Sequence, residues 1–276
     1  MDATALVLTL LAAVVHAGWN QLLSGSRDPQ ARVGVAMLVG AVATAPFALV
    51  GFRWDPAVWP YVGASVAFEL AYVVLLAAAY RVGPMSTVYP VARGSAPVLV
   101  LGVGALLGVQ VGPLPALGAV LVVARILLVR TPSATSARGL LMALAVGACI
   151  AGYTLVDAHG VDHASVPAYL LVVLGLTAIA QVVVAARGRG VDDLVRAAFA
   201  RDEWWRTVLV GLGFFLAYGL VLLALRTAPA GPVAAIRETS VVIAVLMLTV
   251  TGREPLRTRT LVGAAVVTAG VALVVL

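Results

Sequence analysis

The chain has 276 residues, of which 62% are hydrophobic and only 11% charged, with a mean hydropathy of +1.08. Soluble domains carry about 45–50% apolar and roughly 25% charged residues, so a water-soluble globule of this size has no way to hide so much apolar surface. The composition predicts a polytopic membrane protein without a soluble catalytic domain. The formal net charge of +6 is carried by arginines in short loops and at segment ends. There it reports orientation rather than nucleic-acid binding. Lysine is absent, and with the Ala/Val/Gly bias this points to a GC-rich bacterial source.

A helix needs about 20 apolar residues to cross roughly 30 Å of hydrocarbon. Ten segments meet or approach that length: 3–22, 32–52, 58–80, 85–107, 114–130, 138–157, 166–186, 206–226, 230–251 and 258–276. The breaks carry turn chemistry such as "GSRDPQ", "FRWDP", "RVGP" and "TGREPLR". The first segment lacks a basic flank and a clean cleavage site, so it reads as a retained span rather than a signal peptide. It places His16, Trp19 and Asn20 at i, i+3 and i+4, a polar-aromatic stripe suited to solute contact or to interhelical hydrogen bonding.

An ionisable side chain at a helix centre costs about 2.5–3.5 kcal/mol, so such residues face protein or a wet cavity rather than lipid. Glu69 falls at the midpoint of the third span, with Tyr72 one turn away. It serves either as a cation or proton site or as the partner of a buried arginine. The fourth span opens with "VYPVARGSAPV", where Tyr89, Arg93 and Pro97 share one face. Pro97 removes the backbone bond to the Arg93 carbonyl, and Pro90 and Gly94 loosen the same turn, which predicts an irregular helix bordering a cavity. Arg93 then contacts solute, or pairs with Glu69 or Glu238.

Arg125, near the end of the fifth span, snorkels toward the surface beside Arg130. Cys149 lies in an apolar run as a packing residue and leaves no disulfide or cysteine metal site. "DAHGVDH" (Asp157, His159, Asp162, His163) closes the sixth span and reads as solvated loop, a metal or pH-sensing site being the lesser alternative. Residues 187–205 predict an amphipathic surface helix, with Trp204 and Trp205 at the membrane interface. In the ninth span, Arg237 and Glu238 are neighbours about 100° apart on a helix, so each needs a partner elsewhere. No cofactor motif, Walker motif, nucleophile elbow or HExxH is present.

The chain also repeats itself. "FELAYVVLLAAAYRVGP" (68–84) matches "FFLAYGLVLLALRTAP" (214–229) with one deletion. Farther on, Val88 faces Val233, Arg93 faces Glu238, Ser95 faces Ser240 and Gly118 faces Gly263, all 145 positions apart. Two halves, 1–131 and 132–276, then hold five spans each, and an odd number inverts the second relative to the first. The expected fold is all-α, ten transmembrane helices as two inverted five-helix repeats, an architecture of secondary transporters with the site near the midplane.

The five-plus-five plan, "HAGWN", "YRVGPMSTVYPVARGSAPV" and the closing "GREPLRTRTLVGAAVVTAGVALVVL" resemble the EamA-type drug/metabolite transporter superfamily over essentially the whole chain. Gln110 in "GVQVG" departs from the usual Glu of that pattern. The resemblance implies a non-enzymatic secondary transporter of a small organic solute, amino-acid-like or toxic, working by alternating access and most naturally in export. Its binding residues would be His16, Trp19, Asn20, Glu69, Tyr72, Tyr89, Arg93, Tyr218, Arg237 and Glu238. The alternatives are a proton-coupled antiporter of cationic drugs using Glu69 or Glu238, and a non-transport membrane assembly or lipid-handling protein. The expected partners are the solute, the bilayer and protons as coupling ion, with no nucleic acid or metal, in a monomer or homodimer of the bacterial inner membrane. Arg27, Arg32, Arg81, Arg130, Arg138 and the arginines of 187–206 and 253–259 fall on one side, against Arg53 and Arg226 on the other. The positive-inside rule puts both termini outside the cytoplasm, whereas the superfamily is commonly described with its termini inside.

Overall fold

The computed structural model describes residues 1–82, 85–106, 136–200 and 202–250, together with 112–114, 116–118, 121, 269, 270 and 273. Within these the elements are α1 (Ala3–Ser24), α2 (Pro29–Leu49), α3 (Trp59–Val82), α4 (Met85–Leu106), α5 (Ala137–His163), α6 (Val166–Arg189), α7 (Val191–Ala198), α8 (Trp204–Leu225), α9 (Ala230–Arg237) and α10 (Thr239–Val250). A 3-10 turn, Pro56–Val58, leads into α3. By length and hydropathy α1, α2, α3, α5, α6 and α8 can each cross a bilayer, and α4 adds a shorter apolar stretch over Val91–Leu106. The chain is a multi-pass helical membrane protein. Nearly all of the expected spans at 114–130 and 258–276 lies outside the described residues, as do Arg125 and Gln110.

Three elements differ from the sequence expectation. The sixth span does not end at 157: α5 runs to His163, so "DAHGVDH" is its last turns rather than a loop. The fourth span keeps its helix through Pro90 and Pro97, so the irregularity expected around Arg93 is not there. Close packing on α5 supports it: a side chain at Gly147 would collide with Ser95 and stand 2.8 Å from the Ala92 carbonyl. The irregularity falls instead in the ninth span, which breaks between α9 and α10 at Glu238. There the Glu238 N–H donates to the Ala235 carbonyl at 3.1 Å, a tightened turn. The Thr239 hydroxyl donates to the Ile236 carbonyl at 2.7 Å, satisfying a carbonyl near the break.

The helices interlock across the chain. The broadest packings are α3 on α5, α1 on α8, α2 on α8, α4 on α5 and α2 on α6. Helix α2 meets α8 almost backbone to backbone. A Cβ at Gly40 would stand 2.6 Å from both the Gly211 carbonyl oxygen and the Phe215 ring, and one at Gly211 would overlap the Ala36 carbonyl. Without a hydrophobic effect between helices in lipid, such close van der Waals contact drives association.

Each end of the bundle is closed by a clasp. At one end Arg32 of α2, wholly inaccessible, donates to the Glu203 carboxylate (2.6 Å) and to its backbone carbonyl (2.9 Å). Around it lie the exposed Arg27–Asp202 pair at 2.5 Å, the Arg189–Asp28 pair, and a bond from Arg206 to the Gly25 carbonyl. Leu194 and Ala198 of α7 pack on Ala31 and Val35, while Val191, Val195 and Phe199 stay exposed. At the other end the α2–α3 loop zips to the α5–α6 connection. The Asp55 N–H donates to the His163 carbonyl and the Ser165 N–H to the Arg53 carbonyl, each at 2.8 Å. The His163 ring lies 3.4 Å from the Asp55 carboxylate, and Tyr61 stacks against both His163 and His159. The Ala57 N–H, and then His163, hold the Asp55 carboxyl below its usual range.

The two ion pairs of the first clasp should differ sharply in worth. Removing one partner of a buried pair strands the other charge, so Glu203→Ala should lower unfolding stability by about 3 kcal/mol. Asp202→Ala, at the exposed pair, should change it by less than about 1 kcal/mol. Thermal unfolding of the detergent-purified variants checks this; equal losses would refute it.

Candidate functional site

The break at Glu238 sits inside a cluster of buried charge. Glu238 Oε2 lies 3.8 Å from Arg93 Nε of α4, with side chains 10% and 7% accessible. Arg93 Nη2 also meets His16 Nε2 of α1 at 3.0 Å. His16 packs edge-on against Trp19 at 4.8 Å, and Trp19 tilts onto Phe214 of α8 at 4.9 Å. Asn20 turns back on its own helix, donating to the His16 carbonyl at 3.2 Å. It therefore fixes the shape of α1 rather than joining two helices. One chain of contacts runs from α4 and the break to α1 and on to α8.

Arg237 heads the other half of the cluster. Its guanidinium lies over the Tyr218 ring of α8, 5.6 Å from the centroid, which is cation–π geometry. Tyr218 donates its hydroxyl to Asp157 Oδ2 of α5 and packs edge-on against Tyr153 at 6.0 Å. Asp157 Oδ1 accepts from Tyr169 of α6 at 2.6 Å. Glu69 of α3 faces the Thr177 hydroxyl and lies within electrostatic reach of Asp157 and Arg237. Accessibility grades across the cluster. Glu69, Arg93, Arg237 and Glu238 keep 6–9% of their surface, whereas Asp157, Tyr169, Ser65 and Thr177 keep none. The first four form the wetter edge and the others its dry backing.

Of the residues expected from sequence, His16, Trp19, Glu69, Arg93, Tyr218, Arg237 and Glu238 meet in this cluster. Arg93 pairs with Glu238 and not with Glu69. Tyr72 is half-buried on α3 against the core. Tyr89 lies on α4, but its side chain is outside those described. The largest omission was Asp157, read as solvated loop and found wholly buried. Its burial follows from Gly160 one turn on. A Cβ there would stand 2.5 Å from the Tyr169 hydroxyl and 2.6 Å from its ring. Gly160 leaves the gap into which Tyr169 folds to reach Asp157. Tyr153, one turn before Asp157, marked the same face and was legible in principle. Among the described residues no group of three or more His, Cys, Asp or Glu is arranged to hold a metal.

Residues 137–276 match the model of the EamA-like transporter family. No curated protein sequence matches the chain. A crystal structure titled only as that of a protein superposes with a TM-score of 0.75 at 17% identity, covering 100% of this chain and 99% of its own. At that identity it establishes a shared fold and nothing about solute.

Overpacking a tight site costs about 1–3 kcal/mol, so Gly160→Ala should lose roughly that amount by pushing Tyr169 off Asp157. Gly175→Ala, where nothing lies within 4 Å, should leave stability unchanged or slightly raised. Thermal melting of the two variants side by side tests the role given to Gly160; equal melting would end it.

Proposed function

The chain belongs to the EamA-like transporter family, whose members carry small solutes across membranes, and from that premise we propose a secondary transporter of a zwitterionic, amino-acid-like solute, working in export by alternating access. The observation that carries this reading is the charge inventory of the site. Arg93 and Glu238 lie close enough to neutralise one another. Among the described residues neither Arg237 nor Glu69 sits in an ion pair. One cation and one acid at the wetter edge suit a solute carrying a carboxylate and an amine. His16, Trp19, Tyr72 and Tyr218 supply its ring-lined walls, and Asn20 holds the turn of α1 that carries His16 and Trp19.

Two halves, 1–131 and 132–276, related by inversion, provide the moving parts. Exchanging the halves maps α1 onto α5, α2 onto α6, α3 onto α8 and α4 onto α9 with α10. The packing of α3 on α5 then becomes that of α8 on α1, and α4 on α5 becomes α9 and α10 on α1. The clasps exchange as well, and they close opposite ends, as inversion requires. Arg93 and Glu238, equivalent positions by this mapping, lie 3.8 Å apart, which supports a pseudo-axis passing between them. Arg27, Arg32, Arg189 and Arg206 gather at one end. That supports a cytoplasmic face there, with both termini on the other side of the inner membrane.

A solute screen by thermal stabilisation of the purified protein tests the substrate class, since a ligand at about 100 times its Kd adds about 2.7 kcal/mol. Zwitterions should raise the melting temperature and Arg237→Gln should abolish the shift; stabilisation by neutral aromatic compounds alone would overturn the reading. Because Glu238 is paired and both Asp157 oxygens accept from tyrosines behind the site, Glu69 is the acid assigned to proton coupling. The same preparation in proteoliposomes carries that arm: Glu69→Gln should remove any pH-driven uptake. For orientation, a C-terminal reporter active only in the cytoplasm should stay silent, and a strong signal would reverse the assignment.

A further inference from the structure

We infer that Asp157 is a positioning residue for Arg237: it fixes the Tyr218 ring on which the guanidinium rests, and so aims that cation. The inference rests on the solute site proposed above, but it concerns a residue with no accessible surface, which no solute reaches directly. Both carboxylate oxygens are spoken for, Oδ1 by Tyr169 of α6 and Oδ2 by Tyr218 of α8. The buried Ser65 hydroxyl of α3 flanks the same carboxyl. The titratable or charged groups facing Asp157 are Glu69 from α3, Tyr169 from α6, Tyr218 from α8 and Arg237 from α9.

A tyrosine ring turns about two side-chain torsions. A bond at its hydroxyl removes that freedom and sets the plane of the ring. Tyr153 closes the remaining side with its edge-on contact. The guanidinium lies over that ring, with the Tyr153 hydroxyl beside it. Beside the direct charge interaction, Asp157 acts on Arg237 through Tyr218, a link that joins α5, α8 and α9. Substrate recognition by Arg237 therefore depends on a carboxylate that belongs to the dry backing of the site.

Site-specific reaction with phenylglyoxal, read by peptide mass spectrometry on the detergent-purified full chain, tests this without any substrate. Asp157→Val and Tyr218→Phe should each raise labelling at Arg237 about three- to tenfold, the shift expected when a cation–π contact is weakened by freeing its ring. Asp157→Asn, which keeps one acceptor, should give a smaller rise. The double variant should exceed neither single, since both cut the same link. Labelling at Arg93 and Arg32 should not move. If Asp157→Val fails to fold, Tyr218→Phe and Asp157→Asn decide the matter alone. Unchanged labelling at Arg237 in Tyr218→Phe, or equal rises at Arg93 and Arg237, would overturn the inference. Neither result bears on which solute is carried, so it can fail while the transport reading stands.

Discussion

The pairing of Arg93 with Glu238 is the constraint around which the rest of the site is arranged. A lone charge inside hydrocarbon is expensive, and its cost falls when an opposite charge and hydrogen-bonding groups stand beside it. The Arg93–Glu238 contact is 3.8 Å long, and His16 supplies a second polar neighbour for the arginine. Where the acid sits, the helix gives way: the chain turns at Glu238 and resumes at Thr239. Arg237 and Glu238, adjacent in the chain, point apart, and the guanidinium lies over a tyrosine face instead of on the neighbouring carboxylate. One ion pair thus satisfies Arg93 and Glu238, while Arg237 and Glu69 sit in no ion pair among the described residues.

The layering behind the site follows from the same economy. Asp157 is buried without an arginine within ion-pair distance among the described residues, and it is tolerated because two phenol hydroxyls point at it. Charge-assisted hydrogen bonds of this kind are stronger than neutral ones. Stacked behind the wetter edge, they make a firm wall from α3, α5, α6 and α8. None of Asp157, Tyr169, Ser65 and Thr177 keeps any accessible surface, so this wall is packed on every side.

Much of this was legible in the sequence. Helix positions followed from hydropathy because a bilayer punishes every unsatisfied backbone group. The Arg93–Glu238 pair was one of the readings left open for Arg93, and the internal offset made the two residues counterparts. What was not legible had tertiary causes. Gly160 and its polar neighbours read as a loop, because nothing local says that Tyr169 will fold into the gap the glycine leaves. Pro90 and Pro97 predicted irregularity in α4, yet packing on α5 accompanies an unbroken helix. The true break, in "AAIRETSVV", contains neither proline nor glycine. It is marked only by Thr239 bonding back to Ile236, a side-chain choice that sequence does not announce.

Arg32 and Glu203 are 171 residues apart in the chain. During synthesis the arginine reaches the membrane long before its partner exists, and at the usual pace of about 5–20 residues per second that interval lasts on the order of ten seconds. Until then α2 cannot seat its charged end in the bundle and must hold it in the headgroup region. The first half of the protein is therefore made as an unfinished object. Its arginine-bearing end is closed by the end of α6, α7 and the turn before α8, and the opposite end by the connection into α6. Folding of the early helices is set on a clock kept by the late ones.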